Sequence, residues 1–249
     1  MGDPSDGGAH VRRVAGASAD RSGGAELVWY VAYGSNLASG RFRSYLAGGR
    51  PTGGRRVYPG CRDPREPAQV AAVEVPGGLV FSGESAVWGG GRAYYDLAAP
   101  GVVAGRAYLL TAEQLGDVAA QEMYREPGSA FARELAGVLG EVESVRVMGP
   151  GRYETVARVG ERDGVPMFTV TDVDAGDLEP SAPSAAYLWW IAAGLRESHG
   201  WDAARVAEYL SEARGVEGAW SRNELAEIAS AEGPATGGHA PGARSGTAD

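Results

Sequence analysis

The sequence predicts an α+β fold, in which a mainly antiparallel curved sheet or small barrel carries helices packed outside it. Three observations lead there. Several strand-like runs follow one another with only turn signals such as PGG, APG and ERDG between them, an order that argues against a doubly wound parallel sheet. Helix-like periodicity marks six further segments. A chain of 249 residues with 44% hydrophobic content can bury a full core, and it suits one domain with appendages.

In chain order, residues 1–26 are rich in Gly, Ala, Ser, Asp and Arg, with almost nothing large and apolar to bury, so a disordered tail is expected. The apolar run from Val28 to Ala32 predicts a strand over 27–33. It stops at Tyr33-Gly34-Ser35-Asn36, and a helix-like pattern over 37–47 follows. Gly tolerates unusual backbone angles, and Ser and Asn are good N-cap residues, so the stretch reads as strand, sharp turn and helix start. Such a turn aims several N–H groups at one point, which suits an anion; the plain alternative is a capped connection. Residues 48–67 form a long loop carrying Arg50, Arg55, Arg56, Arg62 and Arg65, either a carboxylate or phosphate clamp or a solvated surface, expected to be mobile and near a pocket mouth.

Strands are expected over 69–75, 78–82, 91–95 and 102–110. Thr111 reads as an N-cap, with Gln114 as its capping-box partner, opening a helix from Ala112 to about Gln121. A helix over 130–139, strands over 143–148, 153–159 and 165–171, and helices over 183–198, 202–213 and 220–231 complete the domain, 27–231. Residues 232–249 have no usable periodicity and are expected to be a second disordered tail.

Composition excludes several chemistries. The formal charge of −9 disfavours nucleic acid or an anionic membrane as partner. No run is long enough for a transmembrane helix, the N-terminal stretch lacks a signal-peptide core, and the single Cys61 cannot form an internal disulfide, so a cytoplasmic setting is expected. All 23 basic residues are Arg, which removes a lysine Schiff base, a P-loop lysine and a Ser-Lys dyad. Of His10, His199 and His239, only His199 falls within the domain, so neither a Ser-His-Asp triad nor a His-rich zinc site is expected, and no cofactor is called for. A cysteine hydrolase would rest on Cys61, with Arg62 and Arg65 lowering its pKa and His199 within reach.

Acid–base work therefore falls chiefly to carboxylates. Glu122 sits at the far end of the helix begun at Ala112, where the helix dipole favours cations, so the placement hints at a purpose. Apolar neighbours such as Val118 and Met123 would desolvate it, the condition for a general base poised near neutral pH. The plain alternative is a surface Glu near Arg125. Glu84, in "FSGESAVW", is a second candidate; otherwise it is a strand-end Glu paired with Arg92 or solvent.

The segments "VAYGSNL", "WGGGRAYYD", "VVAGRAYLLTAEQLGDVAAQE" and "PSAAYLWWIAAGLRESHGW", in this order, resemble the γ-glutamylcyclotransferase superfamily over roughly residues 27–215. The resemblance implies a small, mainly antiparallel β-barrel with peripheral helices. It implies further that Tyr33, Gly34, Ser35, Asn36 and Leu37 line a substrate pocket, that Glu122 matches the catalytic glutamate, and that Tyr187 lies near the pocket. The implied reaction needs no metal and no protein nucleophile. The α-amine of a γ-glutamyl amide attacks its own γ-carbonyl, 5-oxoproline closes, and an amine leaves, with Glu122 moving the protons. The N–H groups of Gly34 to Leu37 would hold the α-carboxylate or the developing oxyanion. Glutathione, a γ-glutamyl amino acid, a γ-glutamyl polyamine and a γ-glutamylated natural product share this reacting end. Two departures, the long 48–67 loop and Met123 after the glutamate, bear on pocket shape, and the alternative is an inactive ligand-binding barrel of the same fold.

Overall fold

The computed structural model describes residues 26–234. The expected disordered tails lie outside these residues, apart from Glu26 and residues 232–234. In chain order the elements are β1 (Leu27–Ala32), α1 (Ser39–Ala47), β2 (Gln69–Pro76), β3 (Gly78–Ser82), β4 (Arg92–Asp96), β5 (Val102–Thr111), α2 (Ala112–Glu122), α3 (Ala130–Val138), β6 (Val145–Val147), β7 (Thr155–Arg162), β8 (Val165–Thr171), α4 (Ala185–His199), α5 (Ala203–Ser211) and α6 (Arg222–Ser230).

Six strands form one mixed sheet in the order β2-β5-β1-β8-β7-β6, and β3–β4 is a separate hairpin. Only the β1–β8 pair is parallel; the other described pairings are antiparallel. The fold is thus α+β. Among the described residues no pairing joins β2 to β6, so the ladder is open where a closed barrel was expected. The hairpin is laid over β8 by Thr171, whose Oγ1 accepts from the Tyr95 N–H (3.0 Å) and donates to the Tyr95 carbonyl (2.8 Å). No helix among the described residues is long and apolar enough to cross a membrane.

β1 explains the arrangement. Its side chains alternate between two cores: Trp29, Val31 and Tyr33 join the one covered by α4, α5 and α6, while Val28, Tyr30 and Ala32 join the one covered by α1, α2 and α3. A strand covered on both faces needs an unbroken apolar run, the pattern of Val28–Ala32. Each large side chain so buried contributes about 1.5–3 kcal/mol.

Two glycines set helix positions by absence of a side chain. A Cβ on Gly116 would stand 2.3 Å from the Ala132 carbonyl oxygen, so α3 can lie directly on α2. A Cβ on Gly194 would stand 2.3 Å from the Leu37 Cβ, so α4 can press against the turn after β1.

Two expectations are corrected here. Ser35 and Asn36 do not cap a helix: they belong to a short 3-10 turn, Ser35–Leu37, and α1 starts at Ser39 behind Ala38, with no side-chain cap. The arginines of 48–67 do not converge into a clamp. Arg62 bonds Asp117 (3.0 Å), Arg65 bonds Asp63 (2.6 Å), and Arg50 and Arg55 lie outside the cavities described below. The loop is also tied down along its length, by Gly49–Tyr58 pairing, by the Cys61 N–H on the Leu46 carbonyl (2.9 Å), and by Gln114 Nε2 on the carbonyls of Asp63 and Arg65.

Candidate active site

The 3-10 turn after β1 and the C-terminal end of α2 meet. Asn36 Nδ2 donates to Glu122 Oε1 at 2.9 Å, across 86 positions of sequence, and lies 3.3 Å from the Tyr30 hydroxyl. The residue that looked like a cap thus spends its side chain on the carboxylate. Arg125, the expected surface partner of Glu122, is bonded instead to Glu154. α2 itself is held at its start by the capping box of Thr111 and Gln114. At its end, Arg152 donates to the Glu122 carbonyl (3.3 Å) and Arg56 to that of Gln121 (3.2 Å). These cations satisfy orphan carbonyls and offset the dipole that makes a helix C-terminus a poor place for Glu122.

Glu122 is half-buried between two adjoining cavities. The first is lined by Tyr33, Gly34, Ser35 and Asn36 of the turn, with Tyr30, Ala93, Tyr153, Val170 and Tyr187. The structure therefore brings Tyr33, Gly34, Ser35, Asn36, Tyr187 and Glu122 together around one space. Leu37 is the exception. It is fully buried against α4, lines neither cavity, and its N–H bonds the Gly34 carbonyl at 3.0 Å, so that donor is not offered to a ligand. Gly34 has φ −104°, open to any residue; its requirement is space, because a Cβ there would stand 3.0 Å from the Tyr187 hydroxyl.

The tyrosines are neutral donors. Burial raises Tyr30, Tyr33, Tyr153 and Tyr187 well above the ordinary phenol range, and the Glu122 carboxylate pushes each the same way. Tyr33 donates to the Val170 carbonyl (2.8 Å) and Tyr153 to that of Ala93 (2.7 Å). Tyr187 accepts from the Ala93 N–H (3.2 Å), which leaves its own proton for the cavity. Beside it, Asn36 Oδ1 is buried with no hydrogen-bond partner. A buried amide oxygen left open is unusual, and here it sits next to a carboxylate that has room for further donors.

The second cavity lies on the other side of Glu122 and is lined by residues that sequence reasoning missed, Arg41 and Tyr45 of α1, Tyr58, Arg92 and Arg152 among them. Arg41 and Tyr45 stand four apart on one helix face, but a lone Arg in a helical pattern reads as solvated. Glu84 is exposed, lines neither cavity, and offers Arg92 its carbonyl rather than its carboxylate. The cysteine-hydrolase reading is overturned: burial pushes the Cys61 thiol up to about 12, and His199 bonds the Val73 carbonyl beside Trp201, among the residues of the other core. Among the described residues no group of three His, Cys, Asp or Glu could hold a metal ion.

No family model matches the sequence. Over 187 residues the chain is 28% identical to histone deacetylase 5 of Arabidopsis thaliana, an alignment taking in 68% of this chain and 28% of that protein, so the chain spans little more than a quarter of that relative's length. In structure it is similar to a gamma-glutamyl cyclotransferase, with 18% identity over 82% of this chain and 98% of the other, at a TM-score of 0.46. It is also similar to an uncharacterized protein from Homo sapiens (18%, 82% and 98%, TM-score 0.43) and to YkqA from Bacillus subtilis (19%, 69% and 49%, TM-score 0.36). These are likenesses of fold, and the chemistry is read from the site itself.

Proposed function

We propose that this protein is a cyclotransferase that converts a γ-glutamyl amide to 5-oxoproline and a free amine, with Glu122 as general acid and base. The observation that carries this is the bond between Asn36 and Glu122 at the edge of a cavity built from the turn after β1. Glu122 and the unpartnered Asn36 Oδ1 are two acceptors side by side, the complement of an α-ammonium group. Glu122 takes one proton from that group, and the neutral amine attacks the γ-carbonyl of the same molecule. The carbonyl oxygen gains charge as the ring closes. The Tyr187 hydroxyl and the N–H groups of the Gly34–Asn36 turn are the donors available for it or for the α-carboxylate. Glu122 then returns its proton to the leaving nitrogen, the C–N bond breaks, and the ring nitrogen gives up its remaining extra proton through the carboxylate to the departing amine, which leaves as an ammonium group with Glu122 again ionised.

The test is a panel of γ-glutamyl amides assayed for 5-oxoproline with the wild-type chain and Glu122→Gln. Turnover lost in the variant with substrate binding retained supports the reading. Binding without turnover in the wild type would make this a ligand-binding barrel.

A further inference from the structure

The start of α1 is held open against its own sequence. By local rules Asn36 should cap that helix: its side-chain oxygen would accept from the N–H at Ser39, and its carbonyl would accept the first helical bond. The structure gives both partners to other groups. The Ser39 N–H goes to Glu197 Oε2 at 3.0 Å, and the Ser39 hydroxyl to Glu197 Oε1. The Asn36 carbonyl accepts from the Tyr108 hydroxyl at 2.7 Å, and the Leu37 carbonyl from Arg106 Nη1 at 3.1 Å. Between turn and helix Ala38 is extended (φ −77°, ψ 123°), so the two do not merge.

These outside groups come from two elements. Arg106 and Tyr108 alternate along β5 and so reach consecutive carbonyls from one face. On α4, Glu197 lies one turn beyond Gly194 on the same side, so the close approach of Gly194 to Leu37 sets the carboxylate over Ser39. Arg106 Nη1 also bonds Glu197 Oε1 at 2.9 Å, which joins the two elements. Tyr108 is fully buried and its ring stacks on Phe42 at 4.0 Å, so its hydroxyl is fixed in place. What the turn gains is the Asn36 side chain. Freed of the cap, Nδ2 reaches Glu122 at 2.9 Å, and Oδ1 is left buried without the N–H partner that a cap would give it.

Resting on the cyclotransferase reading above, we infer that Glu197 and Tyr108 are positioning residues for the reaction: they deny Asn36 its place as the cap of α1 and so keep its amide on Glu122. Neither lines the two cavities. Without them Asn36 turns back to Ser39, α1 extends at its N-terminus, and Glu122 loses the group that orients it.

Ser39→Pro separates this role from plain bracing. Proline has no N–H to offer a cap, fits the first position of a helix, and keeps the residue before it extended, the conformation Ala38 already has. It removes the competing state and leaves the observed one. Glu197→Ala should lower kcat roughly tenfold with a smaller change in KM, and adding Ser39→Pro should restore kcat to near wild type although Arg106 still lacks its carboxylate. Tyr108→Phe deletes one hydroxyl and keeps the ring, and Ser39→Pro should recover its loss in the same way; this pair carries the test alone if Glu197→Ala does not fold. Unchanged kcat in the single variants, or losses that proline does not recover, would overturn the inference. The side-chain amide NMR signals of Asn36, assigned by their loss in Asn36→Asp, should follow the same pattern without turnover, displaced in each single variant and returned by proline. Should no γ-glutamyl amide yield 5-oxoproline, those signals still decide the matter: signals that stay in place in the single variants overturn the positioning role, so failure of the reaction and failure of the inference give different results.

Discussion

Two carboxylates stand five positions apart near the end of α2, in opposite surroundings. Asp117 is almost fully buried and saturated: it accepts from the Arg62 N–H and Nε (both 3.0 Å) and from the Gly128 N–H (2.7 Å). It ties the long loop and the turn before α3 to one point. Glu122 is half-buried, accepts from Asn36 Nδ2 at 2.9 Å, and faces two cavities. A carboxylate whose acceptor sites are all taken by its own chain holds structure. One left with open sites in a cleft is available for chemistry.

The sharpest break in that contrast is Glu122→Gln. The amide preserves volume but cannot take a proton, so kcat should fall by about 10³-fold while binding and melting temperature stay near wild type. Steady-state kinetics with calorimetry checks it, and a Gln variant with full turnover would remove Glu122 from the reaction. Tyr187→Phe comes next. It deletes a hydroxyl donor that can reach the charged oxygen beside the turn N–H groups, and kcat should drop by roughly 10²-fold with a smaller change in KM. Asp117→Asn should reverse the pattern: an NH₂ placed against two of those donors costs about 2 kcal/mol of stability, read by denaturant unfolding, with kcat for the folded fraction close to wild type.

The smallest effect concerns acid. Burial pushes the Glu197 carboxyl up, but bonds from the Ser39 N–H (3.0 Å) and hydroxyl and from Arg106 (2.9 Å) outweigh it and hold the group below its ordinary range. The folded chain therefore binds that proton less tightly than the unfolded chain. Its contribution to stability is present above the ordinary carboxylate pKa and is lost as pH falls through the lowered folded value. The difference in melting temperature between wild type and Glu197→Gln should accordingly shrink on acidification from neutral pH. A difference that held constant would show that the carboxylate is not what braces α4 against the start of α1.

The elements were nearly all legible, because β1, β5 and α2 each announce themselves locally: an unbroken apolar run, strand residues ending at a capping Thr, and a Thr111–Gln114 box that forms as read. The turn was legible as special but misjudged in kind. Asn36 satisfies every local rule for a cap, and only the long-range meeting with Glu122 reveals why its side chain turns away from the helix. That meeting came into view through family resemblance; nothing within either segment encodes it. Arg41 was invisible for a different reason. Among 23 basic residues, all Arg, one in an amphipathic helix carries no local mark of burial, and the aromatic rings that enclose it come from α1, from the long loop at Tyr58 and from Trp88.

α2 works as a ruler. Its first turn is clamped by the capping box, and eleven residues on, its last residue delivers the carboxylate. Each residue added or removed between those points would swing Glu122 by about 100° around the helix axis and slide it about 1.5 Å, and the clamped start leaves no slack at that end to absorb the change. Through evolutionary time this stretch can therefore exchange side chains but not length. Among active descendants of this chain, insertions and deletions should gather in the surface connections and spare the interval from Thr111 to Glu122.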